Sequence, residues 1–252
     1  MPDRRTHRGP HPEDHKLFRA EALASLRAAT RDLSWLLGQR YAIKSALKLV
    51  GDRYQLTERQ RAAVLRCSCS EAQASARAAR QLRRGQLQGE VLCVDGFNLL
   101  TTLEVALSGG VLLIGRDGVM RDIAGVHGSY RKVSETGAAV ELLAQLTQQE
   151  GVRACEIYLD QPVSNSGRLR AFILDLAKAQ TLPFEVHVVP NPDSVLMRSS
   201  HVVASADAQI LDAPVRWVNL ARECVAALGP RANVVDLSGC ATQEAGHGEP
   251  SM

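Results

Sequence analysis

Several aspartates stand at or just after the ends of apolar runs, a position that suits metal chemistry. Asp95 closes "VLCVD", Asp160 closes "ACEIYLD" and Asp207 follows "HVVASA" directly. Asp193 comes shortly after "FEVHVV", and Asn98 follows Asp95 inside "VDGFNLL". Carboxylates far apart in sequence that meet at one edge of a sheet repel one another and raise one another's pKa values. A hard divalent cation, Mg²⁺ or Mn²⁺, relieves that repulsion, and oxygen donors suit it. The expected metal ligands are therefore Asp95, Asp160 and Asp207, with Asn98 orienting a ligand or a water. Asp193 lies in "PNPDS", where a turn explains it almost as well. Glu104, two turns beyond Asn98, is a further acid that could face the site. One Asp at one strand end is more often a helix cap or a turn residue; repetition at several ends is what favours a common site.

The elements that would position these acids alternate. "VLCVD" reads as a buried strand and "VLLIGRDGVMRDI" as a hairpin with a type I′ turn at Asp117-Gly118. A capped helix over "SETGAAVELLAQLTQQEG" precedes the strand "ACEIYLD", and the helix "SGRLRAFILDLAKAQ" follows it. "FEVHVV", "HVVAS" and "VRWVNL" read as further strands, and the helix "RECVAALG" closes the unit. The expected fold class is α/β: a Rossmann-like, mostly parallel sheet, with a separate all-helical N-terminal domain. In such a sheet the C-terminal strand ends share one edge, where open α/β folds place their ligands.

The first 89 residues have a helical period, with Leu17, Leu23, Leu26, Leu33 and Leu36 along one face. Thr57 with Gln60, and Ser70 with Gln73, are capping-box pairs that open two more helices. "GQLQG" marks the boundary, giving a basic helical domain over 1–89 and an α/β domain over 90–237. The tail 238–252 has no apolar periodicity and is expected to be disordered. The two halves carry opposite charge. Residues 1–89 hold 18 Lys and Arg against 8 Asp and Glu, a net of +10, and the remainder hold 12 against 19, a net of −7.

A basic helical module most simply binds nucleic acid through phosphate contacts. Its candidate residues are Lys44, Lys48, Arg53, Arg59, Arg61 and Arg66, with Arg77, Arg80, Arg83 and Arg84 further on. "HGSYRK", residues 127–132, adds a possible phosphate grip through Arg131 and Lys132, and Arg168 and Arg170 follow Asp160 closely. A solvated face is the plainer explanation of any such run.

"VDGFNLL" and "VVASADAQIL" resemble the PIN-like nucleases, particularly their NYN branch. That branch opens with an Asp-Gly-aromatic-Asn run, here Asp95 to Asn98, and a late strand ends in small residues and an Asp, here Ala204 to Asp207. Asp160, closing a middle strand, fits the same pattern. The resemblance spans roughly residues 91–228 and implies a metal-dependent endoribonuclease on a Rossmann-like sheet. The hairpin departs from it, since helices usually occupy that place. The whole chain also resembles a prokaryotic two-domain family of unknown function that pairs a basic helical domain with a PIN-like one.

Other chemistries fit poorly. A haloacid-dehalogenase-like phosphatase needs a second Asp where Phe97 stands. No phosphate-binding loop ending in Lys-Ser/Thr is present, and neither H-E-x-x-H nor G-x-S-x-G occurs. The six cysteines are scattered without a C-x-x-C pair and read as buried thiols. No run approaches the roughly 18 apolar residues of a membrane span, and the polar N-terminus does not read as a signal peptide. The expectation is a cytoplasmic Mg²⁺- or Mn²⁺-dependent nuclease acting on nucleic acid, with RNA as the leading substrate. The alternative is a non-catalytic nucleic-acid-binding or scaffold protein with a degenerate PIN-like domain.

Overall fold

Val91 to Val94 are all buried, as a central parallel strand covered on both faces requires. In the computed structural model, residues 7–124 and 130–239 are described. Five helices come first: α1 (Asp14–Leu17), α2 (Ala20–Gly38), α3 (Ile43–Arg53), α4 (Glu58–Cys67) and α5 (Glu71–Arg80). Both capping boxes form, Thr57 with Gln60 at α4 and Ser70 with Gln73 at α5. Then come β1 (Gln81–Leu82), β2 (Val91–Asp95), α6 (Gly96–Leu107), β3 (Val111–Ile114), β4 (Met120–Asp122), α7 (Thr136–Gln149), β5 (Ala154–Asp160) and α8 (Ser166–Ala179). The chain closes with β6 (Phe184–Val189), α9 (Pro192–Leu196), β7 (Val202–Ala204), α10 (Ala208–Asp212), β8 (Trp217–Val218), α11 (Leu220–Ala226) and β9 (Asn233–Asp236).

Six strands form one sheet in the order β1-β8-β7-β2-β5-β6, and every pairing in it is parallel. The chain runs outward from β2 to β5 and β6, then crosses back to β7 on the other side of β2. The strand order therefore reverses between β2 and β7, which makes that crevice the topological switch point. Alternate residues feed opposite faces. Leu92 and Val94 pack into the larger core with α6, α7, α8 and α11, whereas Cys93 and Val203 face Trp217 with α9 and α10. The fold is thus α/β and Rossmann-like, with a helical N-terminal region.

The helical region shares a core with a second, three-stranded sheet ordered β4-β3-β9. Leu26, Leu33, Val50, Ala63 and Val64 pack against Val111, Leu113, Val235 and Leu237. Backbone and side-chain bonds reinforce the seam. Arg116 N–H donates to the Cys67 carbonyl at 2.8 Å, and Arg66 donates to the Asp122 carbonyl at 3.0 Å. β1, N-terminal to the expected boundary, is an edge strand of the large sheet.

Two local expectations change. The hairpin forms, but not through a two-residue type I′ turn. Gly118 N–H donates to the Gly115 carbonyl at 2.9 Å, and Gly118, at φ +72, is the left-handed residue of that loop. This is a tight turn followed by a glycine bulge. β9 was not expected; it pairs with β3 in parallel and buries Val235, and Leu237 is buried just beyond it. Ser238, where the tail was expected to begin, is buried too, while 240–252 lie outside the described residues. Among the described residues no helix is long and apolar enough to cross a membrane. The five described cysteines are buried and free.

Candidate acidic site at the topological switch point

The "DGFN" run is a strand-to-helix turn at the switch point. Asp95 caps α6, its side chain accepting from Asn98 N–H at 3.4 Å. A Cβ on Gly96 would meet Leu159 Cδ2 at 2.6 Å and the Tyr158 carbonyl at 2.9 Å, so glycine lets α6 start hard against β5. Phe97 packs on the ring of Tyr130, centroids 5.1 Å apart. Asn98 reaches across the crevice, its Oδ1 accepting from Ala206 N–H at 3.0 Å. Ser205 completes the bridge. Its hydroxyl donates to Asp95 Oδ2 at 2.8 Å and accepts from Asp207 N–H at 3.0 Å. Asp207 in turn caps α10, accepting from Gln209 and Ile210 N–H at 2.7 and 3.3 Å.

The acids feel one another. Burial pushes the Asp95 carboxyl up to about 7; the Ser205 bond opposes this, and the charges of Asp193 and Asp207 add to it. Asp193 is raised by burial and by the charges of Asp207 and Asp160, and Asp160 is raised by burial. No ion pair to a cation neutralises Asp95, Asp160, Asp193 or Asp207 among the described residues. Their oxygens are the donor type a hard divalent cation takes. As they stand, however, the described residues contain no group of three His, Cys, Asp or Glu side chains set to hold a metal ion. The fit is one of donor chemistry and location, not of assembled coordination.

A cleft of about 710 Å³ opens over this edge, between the large sheet and the helical region. Asn98 and Asp207 line one side, and Leu37, Tyr41, Ile43 and Leu65 line the other. Asp95 lies beneath, buried behind Ser205; Asp160 and Asp193 stand outside the lining.

Sequence reasoning missed the brace that holds the β7–α10 loop. Arg121 donates to the Ala206 carbonyl at 3.0 Å and grips Asp117 with two bonds of 2.8 and 2.7 Å. Arg77 bonds the same Asp117 at 2.5 Å, Asp212 at 2.9 Å and the Ala208 carbonyl at 3.3 Å. Although burial pushes Asp117 upward, its two arginines hold it below the usual carboxylate range. No local motif announces this brace, because its partners are 40 and 135 residues from Arg77 in sequence.

Other candidates fall elsewhere. Glu104 is wholly buried away from the acids, paired with Arg8 at 2.6 Å and bonded by the hydroxyls of Tyr130 and Thr136. Of the basic set, Arg59 clasps buried Asp14 and Arg61 holds Asp52 and the Leu56 carbonyl; Arg66 ties the two layers. These three are structural contacts. Lys44 is exposed, Lys48 pairs with Asp52, and Arg53 lies over Tyr54. Lys132 sits 4.0 Å above the Phe172 ring, Arg131 is exposed, and residues 127–129 lie outside the described residues. Arg170 donates to the Val186 carbonyl and Arg168 to Asn165.

An acidic switch point on a parallel Rossmann-like sheet, roofed by a helical layer, defines the class. Residues 84–223 match the family described as "Domain of unknown function (DUF5616)", and the chain belongs to that family. Residues 25–80 match "Protein of unknown function (DUF434)", so the chain joins an N-terminal domain of one kind to a C-terminal domain of the other. An uncharacterized protein of Methanocaldococcus jannaschii, MJ0935, is 29% identical over 187 residues, covering 74% of this chain and 89% of its own length. No solved structure matches.

Proposed function

We propose that the protein hydrolyses phosphodiester bonds of nucleic acid, RNA foremost, using Mg²⁺ or Mn²⁺ at the switch point. The observation that carries this reading is the meeting of Asp95 and Asp207 on the Ser205 hydroxyl at the switch point, with Asp193 close enough for its charge to raise Asp95 and with no cation paired to these acids among the described residues. The likeness of Asp95–Asn98 and Ala204–Asp207 to PIN-like nucleases supports it. Asp95, Asp160 and Asp207 are the ligands, and Asp193 is a fourth oxygen donor beside them. A bound cation would lower the pKa of an attacking water and offset charge on the phosphate. Burial makes the Asp95 carboxyl hold its proton more tightly than an ordinary carboxyl, and a bound cation would displace that proton. Asn98 keeps its Oδ1 on Ala206, which leaves Nδ2 to orient a water or a phosphate oxygen.

A nucleic-acid-binding or scaffold protein with a vestigial acidic edge is the second reading. It is favoured by the absence, among the described residues, of three side chains already set around a cation. Thermal denaturation of the intact chain with Mn²⁺ or Mg²⁺ separates the two. At a hundredfold excess over Kd, a ligand specific for the fold stabilises by about 2.7 kcal/mol. A metal-dependent rise in Tm that Asp95→Asn removes, together with cleavage of a mixed-sequence RNA, is expected. No rise and no cleavage favours the scaffold.

A further inference from the structure

Four of the five large apolar side chains that stand exposed among the described residues belong to α2, α3 and the turn between them. Trp35 is 62% exposed, Tyr41 55%, Ile43 56% and Leu49 60%. Three of them, Trp35, Tyr41 and Ile43, border two hollows on either side of the α2 C-terminus, and a concentration of this kind marks an interaction surface. Its charge identifies the partner. Arg31, Arg40 and Lys44, all exposed, interleave with Trp35, Tyr41 and Ile43 in sequence. The acid of that run, Asp32, is engaged by the Tyr54 hydroxyl at 2.7 Å and by Arg53 at 3.9 Å. Aromatic faces alternating with free cations fit an unpaired polynucleotide, since every base has a face to stack and every link carries a phosphate.

The corner is also continuous with the acidic site. Tyr41, Ile43 and Leu37 wall the 710 Å³ cleft that Asn98 and Asp207 line opposite. Gly38, next to Leu37, borders a second hollow of about 400 Å³ with Arg31, Trp35 and Arg116. The C-terminal turn of α2 therefore separates two adjoining depressions, with exposed Tyr41 at one and exposed Trp35 at the other.

We propose that the α2–α3 corner is a stacking platform for unpaired bases of single-stranded nucleic acid. Trp35 and Tyr41 each take a base, Arg31, Arg40 and Lys44 face the phosphates between them, and the strand continues into the cleft toward Asn98 and Asp207. The proposal rests on the nucleic-acid reading above but not on catalysis. It moves the binding surface from the Arg59, Arg61 and Arg66 cluster, which is engaged internally, to residues whose rings and charges are free to solvent.

The protein supplies its own reporter. It has two tryptophans, of which Trp217 is wholly buried and bonded to the Arg77 carbonyl, so Trp35 dominates any quenching by a ligand in solution. The full chain is titrated in EDTA with a twelve-nucleotide mixed-sequence RNA, single-stranded or annealed to its complement. The single strand should quench Trp35 and bind more tightly than the duplex, with affinity falling steeply as salt rises. Tyr41→Ala and Trp35→Ala should each weaken binding about tenfold, while Tyr41→Phe keeps it. Unmoved fluorescence, equal affinity of Tyr41→Ala and the native chain, or preference for the duplex overturns the platform. So does a concentration-dependent dimer that Trp35→Ala dissociates, which would make the corner an interface between two copies. Quenching without any cleavage on adding Mn²⁺ would sink the nuclease reading and leave the platform standing; cleavage without quenching would do the reverse.

Discussion

Asp95 is a buried carboxyl held by one hydroxyl and one backbone N–H, and its titration is coupled to folding. Its pKa rises from an ordinary 3.8 to about 7 on folding, because burial disfavours the charged form and Asp193 and Asp207 add repulsion. The folded state thus binds a proton that the unfolded state has released. That stabilisation is complete below about pH 4 and is lost as pH rises through about 7. About three pKa units correspond to roughly 4 kcal/mol. Asp95→Asn removes the charge and keeps one of the two acceptors: its Oδ1 can still accept from Asn98 N–H, while its Nδ2 faces the Ser205 hydroxyl as a donor. The variant should be more stable than the native chain at pH 8, and its stability should lose most of the native fall between pH 4 and pH 7. Urea denaturation at several pH values checks this; an equally pH-sensitive variant would show that Asp95 is not the group titrating, and an unfolded one that its cap on α6 outweighs the repulsion. The cap role and the candidate ligand role coexist in this residue, which is why a sequence reading could not choose between them.

At the scale of elements, α6 depends on Gly96 and α10 on the arginine brace. Gly96→Ala should destabilise by about 1–3 kcal/mol, since its methyl would overlap Leu159, Ile157 and the Tyr158 carbonyl. Chemical denaturation reads this directly, and a neutral substitution would mean that α6 can slide off β5. Arg77→Ala should cost about 3–5 kcal/mol, because it strips a buried charge from Asp117 and a partner from Asp212. Faster hydrogen exchange along the β7–α10 loop would localise the loss, and uniform exchange would refute the brace. Much at this scale was legible: the capping residues Thr57 and Ser70, the strand ending at Asp95 and the hairpin are local signals. β9 was not, because "NVVD" is four residues long and gains its place only by pairing with β3, over a hundred residues earlier. Nor was the internal use of Arg59, Arg61, Arg66 and Arg77 visible. A charge count finds cations, but not the Asp14, Asp52 and Asp117 carboxylates or the Asp122 carbonyl that the fold brings to them.

At the scale of the whole molecule, the +10 and −7 halves suggest a basic reader tethered to an acidic effector, and the contacts impose a stricter unity. Val111, Leu113, Val235 and Leu237 from the C-terminal half are buried against α2, α3 and α4. Removing residues 1–89 would expose that apolar face, delete the edge strand β1 and leave Asp117 without Arg77. Burial of apolar area contributes about 25 cal/mol per Å², so opening such a face costs several kcal/mol, comparable with the 5–15 kcal/mol that holds a domain folded. The fragment 90–239 should therefore aggregate, or bind a hydrophobic dye and melt without a cooperative transition, whereas the intact chain unfolds in one step. Calorimetry and dye binding on both chains decide it. A fragment that melts cooperatively near the native Tm would show the helical layer to be an appendage. Loss of folding would mean that each half completes the other, and that the cleft between the acids and Tyr41 exists only in the joined chain.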